Sequence, residues 1–401
     1  MTLPSTRRFL AGVALVVALA APTVTRAQAT AADQIDALVD GPDYKHAHWG
    51  ILVTELETGQ VLYERNPDKL FAPASVTKLY SVAAALAELG PDHRFETPIY
   101  AQGAVDEAGN LDGSLVLVAS GDLSLGGRTA ADGRIAFKNS DHTYAGFGDS
   151  SELTGPDPLA GLNELARQVA AAGIKRVRGE VLVDDRLFET AQGTGSGPSR
   201  LTPIMVNDNL IDLVITPGEP GAAASVTSRP QCLAWQVDAS VETVAPDRKT
   251  RIEVRSHEPG RIVVRGQIAA GRKPLVRIHE VPDAASFARS LLIEALARAG
   301  VAIEASRLAA NRRDQLPDRA AYSDLKRVAL LQSPPFRDSA RLILKVSHNL
   351  HASTLPLLLA AKHGQRTLAE GLRRQHDALA ALGVAVDTIS FGGAAGGDRA
   401  D

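Results

Sequence analysis

The chain has 401 residues, of which 45% are hydrophobic and 22% are charged, and its formal net charge is −3. This composition is typical of a globular protein and excludes a disordered, collagen-like or coiled-coil chain. The weakly acidic balance argues against nucleic acid as a partner, and the length predicts two or three domains.

The first 29 residues have the pattern of a secretory signal peptide. Arg7 and Arg8 precede an apolar run over residues 9–21, and the Ala-Gln-Ala triplet ending at Ala29 is a small-x-small cleavage site. The run is shorter than the roughly 20 residues that span a bilayer. We therefore expect export to the periplasm, cleavage near Ala29 and no stable membrane anchor; an uncleaved signal anchor is the alternative.

A β-hairpin and a helix are predicted before residue 93. Strands over residues 50–56 and 61–64 flank a turn in which Gly59 supplies a positive φ. Residues 74–89 predict a helix that Gly90 ends, and its nearly continuous apolar character predicts that the helix is buried.

Residues 93–322 alternate short β-type runs with turns rich in Gly, Pro and Asp, which indicates a β-rich insertion. We expect two subdomains in it, the inner one at about 215–280, and two helices, over 159–172 and 284–299. Its clearest predicted strands are 114–119, 177–183, 211–216, 251–255 and 261–268.

From residue 323 the hydrophobic pattern of the sequence again predicts mainly helices, as it does near the start of the chain and unlike the β-rich middle. It predicts a strand from Val328, then helices, then a last strand. These helices are expected at 338–346, 350–362 and 367–382, and the last strand at 384–390.

Cysteine and histidine usage argues against thiol and metal chemistry. Cys232 is the only cysteine, so no intrachain disulfide can form. Two histidine pairs, His46-x-His48 and His348-x-x-His351, could supply metal ligands. Neither belongs to an H-E-x-x-H motif or to a dense cluster of His, Asp and Glu. We expect no metal and no cofactor.

Ser75-Val76-Thr77-Lys78 is the first candidate for catalysis. An S-x-x-K alone is weak evidence, because a chain of this length should contain on the order of one by chance. At the start of a helix, however, Ser75 and Lys78 lie one turn apart on one face, so the amine can reach the hydroxyl. A lysine in an apolar helix is costly to bury unless it is paired or used, and desolvation favours the neutral amine that a general base needs. The alternative is that Ser75 only caps the helix.

A second S-x-x-K, from Ser323 to Lys326, lies in a polar linker and not at the start of a buried helix. Its context therefore predicts no pairing of nucleophile and base.

Ser347-His348-Asn349 is the only S-x-N in the chain and falls in a break between two predicted helices. Apolar helical residues on both sides would give this loop a rigid support, as functional loops usually have. The alternative is that Asn349 only caps the helix beginning at Leu350.

Together these motifs resemble the penicillin-binding D-alanyl-D-alanine carboxypeptidase/endopeptidase family, in its low-molecular-mass group with a large insertion between the first two motifs. The resemblance covers essentially the whole chain after the leader. The long separation of Ser75 from Ser347 also agrees with this group, since the related β-lactamases bring these motifs much closer together. Further landmarks of the family are residues 58–63, 121–122, 178–185, 188 and 332–335.

The resemblance implies an α/β fold of the α+β type, a serine β-lactamase/DD-peptidase-like catalytic domain with a mainly antiparallel sheet and helices. This domain would be split into residues 30–92 and 323–401 around the insertion at 93–322.

It also implies an exported serine D-Ala-D-Ala carboxypeptidase or endopeptidase that acts on peptidoglycan stem peptides through an acyl-enzyme. Ser75 would attack the carbonyl and Lys78 would take its proton. Ser347 would hand a proton to the leaving amine, and Asn349 would hold the substrate amide and orient Lys78. β-Lactams would be covalent inhibitors that acylate Ser75.

Several positions depart from the family pattern. His348 stands where Asp is usual, Ser353 where an acidic residue is frequent, and the Gly-rich residues 392–398 where the family has a turn with more serine. A Lys-Thr-Gly motif does not follow Asn349. We therefore expect that Asp401 marks a truncated record and that the chain in this form is a weak catalyst or none. The alternatives are a non-catalytic peptidoglycan-binding remnant and a β-lactamase or esterase that uses the same Ser-Lys pair.

Overall fold

The computed structural model describes residues 30–146 and 148–397. The predicted leader and its cleavage site lie outside the described residues, as do positions 398–401. The chain divides into two compact units, one ending at Phe71 and one beginning at Ala72.

The first unit contains the predicted hairpin. Helix α1, Ala31–Val39, begins with a capping box in which Thr30 and Asp33 bond each other's backbone amides. Strands β1, Ile51–Thr54, and β2, Val61–Arg65, then pair in antiparallel fashion. The hairpin prediction is confirmed.

Six α-helices occur among the described residues of the second unit, each within three residues of its predicted bounds. The helices are α2 Thr77–Leu89, α3 Ala160–Ala171, α4 Ala284–Arg298, α5 Phe336–Val346, α6 Asn349–Lys362 and α7 Leu368–Ala381. Their buried residues are rich in Ala and Leu; α3, α5 and α7 bury one face, whereas α4 and α6 are buried over most of their length. None of the helices in the described part of the chain is long and apolar enough to cross a membrane.

The strands of the second unit lie between α2 and α5. They are β3 Glu96–Val105, β4 Asn110–Val118, β5 Arg176–Val177, β6 Val181–Asp184, β7 Ala191–Gln192, β8 Arg200–Leu201, β9 Leu210–Thr216, β10 Ser225–Arg229, β11 Gln236–Val244, β12 Arg251–Glu258, β13 Arg261–Ala269, β14 Leu275–Glu280, β15 Ala302–Ile303 and β16 Lys326–Gln332.

The largest sheet has the strand order β15-β5-β4-β3-β16, with β6 also paired to β4. Strand β3 is antiparallel to β4 and β16, whereas β5 and β6 run parallel to β4. Two three-stranded sheets, β10-β9-β14 and β11-β13-β12, and the two-stranded sheet β7-β8 complete the β-rich middle of the chain among the described residues.

The prediction of one continuous strand over residues 177–183 is wrong. Strands β5 and β6 are separate because the chain between them turns at Gly179, whose amide donates to the Gly113 carbonyl at 2.9 Å. A side chain at Gly179 would meet that carbonyl, so the interruption depends on glycine.

The predicted last strand over residues 384–390 is also wrong. Residues Val386–Thr388 form a 3₁₀ turn in which the Thr388 amide bonds the Ala385 carbonyl at 3.1 Å. The turn closes its hydrogen bonds locally, so this segment does not join a sheet.

Helix α2 is not buried in the way that its apolar pattern predicts. Val76 and Leu79 are 55% and 57% exposed, whereas Thr77, Lys78 and Ser81 are buried. The polar side is covered because its side chains bond the backbone of the Gly-rich segment at 392–397; the Ser81 hydroxyl donates to the Ala394 carbonyl at 2.8 Å.

Helices α2, α5 and α6 share one hydrophobic core, which contains Val82, Ile343 and Leu355. This packing fixes the start of α2 beside the α5–α6 turn. The residues of the two sequence motifs are therefore brought into one place.

Candidate active site

Ser75 lies in a tight turn that leads into α2. Residues Ala74–Val76 form one turn of 3₁₀ helix, and Ala74 has a positive φ of 45°. The N-cap of α2 is Val76 and makes no side-chain cap bond. Ser75 therefore does not cap the helix; its exposed side chain accepts a hydrogen bond from Lys78 Nζ at 3.1 Å.

Lys78 is buried, with 1% of its surface exposed. Besides the Ser75 hydroxyl, its Nζ donates to Asn349 Oδ1 and to the Ala395 carbonyl, each at 2.6 Å. These acceptors offset the cost of taking an amine out of water. The predicted pairing of Lys78 with Ser75 and Asn349 is present in the geometry.

Asn349 is the first residue of α6 and not its cap. The cap is His348, whose Nδ1 accepts from the His351 amide at 3.3 Å. The Asn349 side chain instead bridges two segments, because its Nδ2 donates to Ser196 Oγ at 2.9 Å while its Oδ1 faces Lys78. Since Lys78 Nζ donates an N–H in this contact, the contact also fixes which amide atom is the oxygen.

Ser347 ends α5 in the left-handed conformation, with φ 57° and ψ 45°. Its carbonyl accepts from the Tyr144 hydroxyl at 2.5 Å. Its own hydroxyl makes no hydrogen bond within residues 30–146 and 148–397. The structure thus brings together Ser75, Lys78 and Asn349, with Ser347 beside Asn349 in the chain, and the role of the Ser347 hydroxyl stays a prediction.

The second S-x-x-K does not form a comparable pair. The Ser323 hydroxyl donates to the Ala320 carbonyl at 2.9 Å, and Lys326 begins strand β16. An extended residue after a 3₁₀ turn does not stack on the serine as it would in a helix.

The Gly-rich segment at 392–397 closes the site from the side of α2. Gly396 has φ 77°, and a Cβ at this position would lie 1.7 Å from the Ala74 carbonyl oxygen. The backbone can therefore approach the turn carrying Ser75 only because residue 396 lacks a side chain.

We expect Gly396→Ala to lower the thermal midpoint by more than Gly383→Ala. Both positions have a positive φ, 77° and 85°, but a Cβ at Gly383 meets no atom within 4 Å. The control therefore carries only the conformational cost of about 1–2 kcal/mol for an L residue in the left-handed region, and the difference measures the clash at Ala74. Differential scanning calorimetry of both variants checks this; equal midpoints would show that the close approach is not there.

A buried group of charged residues extends from the Ser347–Asn349 loop. Its centre is Asp208, which accepts from Arg128 Nη2 at 2.6 Å, from His142 Nε2 at 2.8 Å and from His351 Nε2 at 2.6 Å. Arg128 also binds Asp141 through two hydrogen bonds, of 2.7 and 3.1 Å. The network joins residues that are far apart in sequence to helix α6, and sequence analysis missed it.

The charged residues of this network shift one another's pKa values. Burial acts to raise the carboxyl pKa values, but the Arg128 guanidinium holds the pKa of Asp141 and of Asp208 well below their usual range. Burial and the neighbouring His351 lower the pKa of His348 well below its ordinary value. His348 is therefore neutral at the physiological pH, in a position where the family usually carries a charge.

His142 gives the network a distinctive pH dependence. Burial disfavours its charged form, but Asp212 and Asp208, at 2.6 and 2.8 Å, outweigh that effect and raise the pKa of His142 from 6.5 to about 10. A raised pKa in the folded state adds stability that is complete below pH 6.5 and is lost as the pH rises through about 10.

We therefore expect the free energy of unfolding to fall more steeply between about pH 7 and pH 10 in the unaltered protein than in the His142→Gln variant. Urea denaturation at several pH values in this interval measures both slopes. Parallel curves would mean that His142 is not held as a cation by Asp208 and Asp212.

Two sets of these side chains lie close enough to hold a cation, namely Asp208 with His348 and His351, and Asp208 with Asp141 and His142. The contacts present are those of ion pairs and hydrogen bonds. The His348 and His351 rings are stacked, 3.7 Å apart and 23° from parallel, and His351 Nε2 bonds Asp208 at 2.6 Å. Arg128 also places a guanidinium against Asp141 and Asp208. We interpret the group as an ion-pair network.

The lone cysteine, Cys232, belongs to the larger hydrophobic core of the described residues. Burial raises the pKa of the Cys232 thiol to about 12, so a nucleophilic thiolate is disfavoured near neutral pH.

Residues 31–400 match the profile of a protein family described as D-Ala-D-Ala carboxypeptidase 3 (S13). The chain belongs to this family. The resemblance inferred from the Ser75 and Ser347 motifs is therefore confirmed.

Two curated relatives support the assignment. The D-alanyl-D-alanine carboxypeptidase of Actinomadura sp. (strain R39) is 26% identical over 369 residues, which is 88% of this chain and 61% of the relative. The D-alanyl-D-alanine carboxypeptidase DacB of Haemophilus influenzae (strain ATCC 51907 / DSM 11121 / KW20 / Rd) is 23% identical over 330 residues, 79% of this chain and 60% of the relative. The S13 chain thus spans about three-fifths of the length of these two relatives.

The fold is shared with a solved structure, penicillin binding protein 4 from Haemophilus influenzae. The TM-score is 0.62 at 19% identity, over 88% of this chain and 71% of that chain. A second structure of the same protein, in complex with a novel β-lactam, gives 0.62 and 19% over 87% and 70% of the two chains. The predicted α/β class with a DD-peptidase-like catalytic fold is confirmed.

Proposed function

We propose that this S13 chain is a serine-type D-Ala-D-Ala carboxypeptidase of the cell wall, with peptidoglycan stem peptides as substrates and β-lactams as covalent inhibitors. The observation that carries the proposal is the buried Lys78, whose Nζ lies 3.1 Å from the exposed Ser75 hydroxyl and 2.6 Å from Asn349. A serine hydroxyl, a lysine amine and an amide thus meet in one site, and we assign them the roles of nucleophile, base and orienting group.

The reaction follows from these positions. In the reactive form Lys78 is a neutral amine whose two N–H groups bond Asn349 Oδ1 and the Ala395 carbonyl, which leaves its lone pair for the Ser75 proton. It takes this proton while Ser75 Oγ attacks the carbonyl of the terminal D-Ala-D-Ala bond. The peptide C–N bond then breaks and an acyl-enzyme forms. We assign the proton on the leaving D-alanine amine to the Ser347 hydroxyl, which takes a proton in turn from the Lys78 ammonium, so that both groups return to their starting forms. Water resolves this ester and frees Ser75. The amide of Asn349 orients Lys78 through Oδ1.

The same geometry supports binding of β-lactams. Their strained amide presents a carbonyl to the nucleophile as the peptide does, and the resulting ester stays on Ser75. The β-lactam complex of penicillin binding protein 4 from Haemophilus influenzae, which has this fold, is consistent with the proposal.

The direct test is release of D-alanine by the full-length protein from a synthetic stem pentapeptide, with the same peptide ending in L-Ala as the control. We expect release from the D-Ala substrate only. Hydrolysis of penicillin with fast turnover and no D-alanine would favour the β-lactamase alternative, and neither reaction would favour the non-catalytic remnant. A cross-linked dimeric peptide measures the endopeptidase alternative in the same assay.

Export completes the proposal. The family acts on a substrate outside the cytoplasm, and the leader predicted from Arg7 and Arg8 agrees with that location. We also propose the division of the catalytic domain into residues 30–92 and 323–401 around residues 93–322.

We expect the exported protein to begin near Thr30, because the Ala-Gln-Ala triplet ending at Ala29 fits the signal peptidase. Edman sequencing of material recovered from the periplasm checks this. A first residue of Met1 in that material would contradict cleavage and point to an uncleaved anchor.

A further inference from the structure

The residues between the two catalytic motifs reach the Ser347–Asn349 loop at two places. One is the loop over residues 193–199, which joins β7 to β8. The other is the turn Asn207–Asn209, which precedes β9. Neither contact follows from the catalytic motifs themselves.

The first contact holds the Asn349 amide. Ser196 is buried, and its hydroxyl accepts from Asn349 Nδ2 at 2.9 Å. Gly195 has φ 84°, and a Cβ there would lie 2.4 Å from Asn349 Nδ2, so the loop is built to approach this side chain. The loop is closed at its base and tied to β14 through Glu280, which accepts from the Ser199 amide and hydroxyl at 2.9 Å each.

The second contact holds the first turn of α6. Residues Asn207–Asn209 all have positive φ, between 51° and 54°. This left-handed backbone conformation costs free energy for any residue other than glycine. The turn presents Asp208 to His351 at 2.6 Å, while Arg128 and His142 bond the same carboxylate. His351 lies in the first turn of α6. Its ring is stacked on the ring of His348, the residue that caps the helix.

We propose that Ser196 and Asp208 are positioning residues that hold Asn349 against Lys78. Ser196 fixes the amide so that Oδ1 faces the amine, and Asp208 fixes the start of α6 through His351. This inference rests on the proposed function for its catalytic consequence, but the ordering of the loop can be measured without activity.

The first experiment is hydrogen–deuterium exchange of the full-length protein, followed on peptides that cover residues 344–352. The His348 and Ala352 amides report loop opening, because they bond the Ile343 and His348 carbonyls at 3.1 Å each. Variants for the two contacts are Ser196→Ala and His351→Leu. His351→Gln keeps a donor for Asp208 and serves as the conservative rescue, which also avoids removing the Asp208 charge.

The matched control is Ser290→Ala. Ser290 is also buried and hydrogen-bonded, to the Arg307 carbonyl at 2.6 Å, but it lies in α4. We expect exchange in residues 344–352 to be faster by about 2- to 10-fold in Ser196→Ala and His351→Leu, and unchanged in His351→Gln and Ser290→Ala. A peptide over β11 serves as the reference for global loosening.

The second experiment is a double-mutant cycle on the rate of acylation by a fluorescent penicillin. Ser196→Ala should slow acylation by about 2- to 10-fold and have no further effect in the Asn349→Ala background. A purely structural contribution would add to the Asn349 effect instead.

Unchanged exchange in Ser196→Ala and His351→Leu overturns the inference, and so does additive slowing in the cycle. If the exchange changes as expected but the unaltered protein is not acylated at all, the two residues order the loop and the proposed function is wrong. The two failures are thus separated.

Discussion

Replacing Ser75 by Ala is expected to abolish covalent labelling of the protein by a fluorescent penicillin. The Ser75 hydroxyl is exposed and lies 3.1 Å from the buried Lys78 amine. Alanine at position 75 has no oxygen that could form the ester with penicillin. Removal of a nucleophile cannot be compensated by its neighbours. Fluorescence of the denatured protein on a gel measures the loss.

The matched control for this prediction is Ser323→Ala in the second S-x-x-K. The Ser323 hydroxyl bonds only a nearby carbonyl, at 2.9 Å, so labelling should be unchanged. Full labelling of the Ser75→Ala variant would end the assignment of the nucleophile.

Replacing Lys78 by Ala is expected to slow acylation by about 10²- to 10⁴-fold, the usual contribution of a general base. The amine lies 3.1 Å from the Ser75 hydroxyl and is held there by Asn349 and Ala395, so its removal leaves the Ser75 proton without an acceptor close at hand. Stopped-flow measurement of the acylation rate gives the factor directly. The variant Lys78→Arg keeps a positive charge but no base near neutral pH, and it should be slow as well.

Lys326→Ala is the control for the lysine variants, since this residue begins β16 and the Ser323 hydroxyl of the same motif donates to the Ala320 carbonyl instead. A Lys78→Arg protein that acylates at the unaltered rate would show that charge, and not proton transfer, is what Lys78 supplies.

Local patterns predicted most of the fold. The hairpin, the six later helices and the break between α5 and α6 follow from turn residues, helix periodicity and stop signals that act within a few residues. The two wrong strand predictions have local physical causes as well. Gly179 interrupts the run before β6, and residues Val386–Thr388 close a 3₁₀ turn.

What the sequence does not predict depends on contacts between distant segments. The apolar pattern predicts that Val76 and Leu79 are buried, yet both are exposed. Lys78 and Ser81 are buried together with apolar residues such as Val82, because the backbone at Ala394 and Ala395 supplies acceptors. Backbone carbonyls have no sequence signature. No pattern could have assigned these partners to Lys78.

The charge network around Asp208 could not be predicted either, because it also joins residues that are distant in sequence. Arg128 and Asp208 are 80 positions apart, and His351 is 143 positions from Asp208. The His348-x-x-His351 spacing is visible in the sequence, but its meaning depends on an acidic partner that only the tertiary fold provides. The capping alternatives for Ser75 and Asn349 were likewise decided by the fold, since the caps are Val76 and His348.

The most direct measurement of the central claim is peptide mass mapping of the full-length protein after reaction with penicillin. The account predicts one penicilloyl adduct on the peptide that contains Ser75, blocked by prior incubation with a second β-lactam. An adduct on any other residue, Ser347 or Ser323 included, would contradict the assignment of Ser75 and Lys78 as the nucleophile and base of this site.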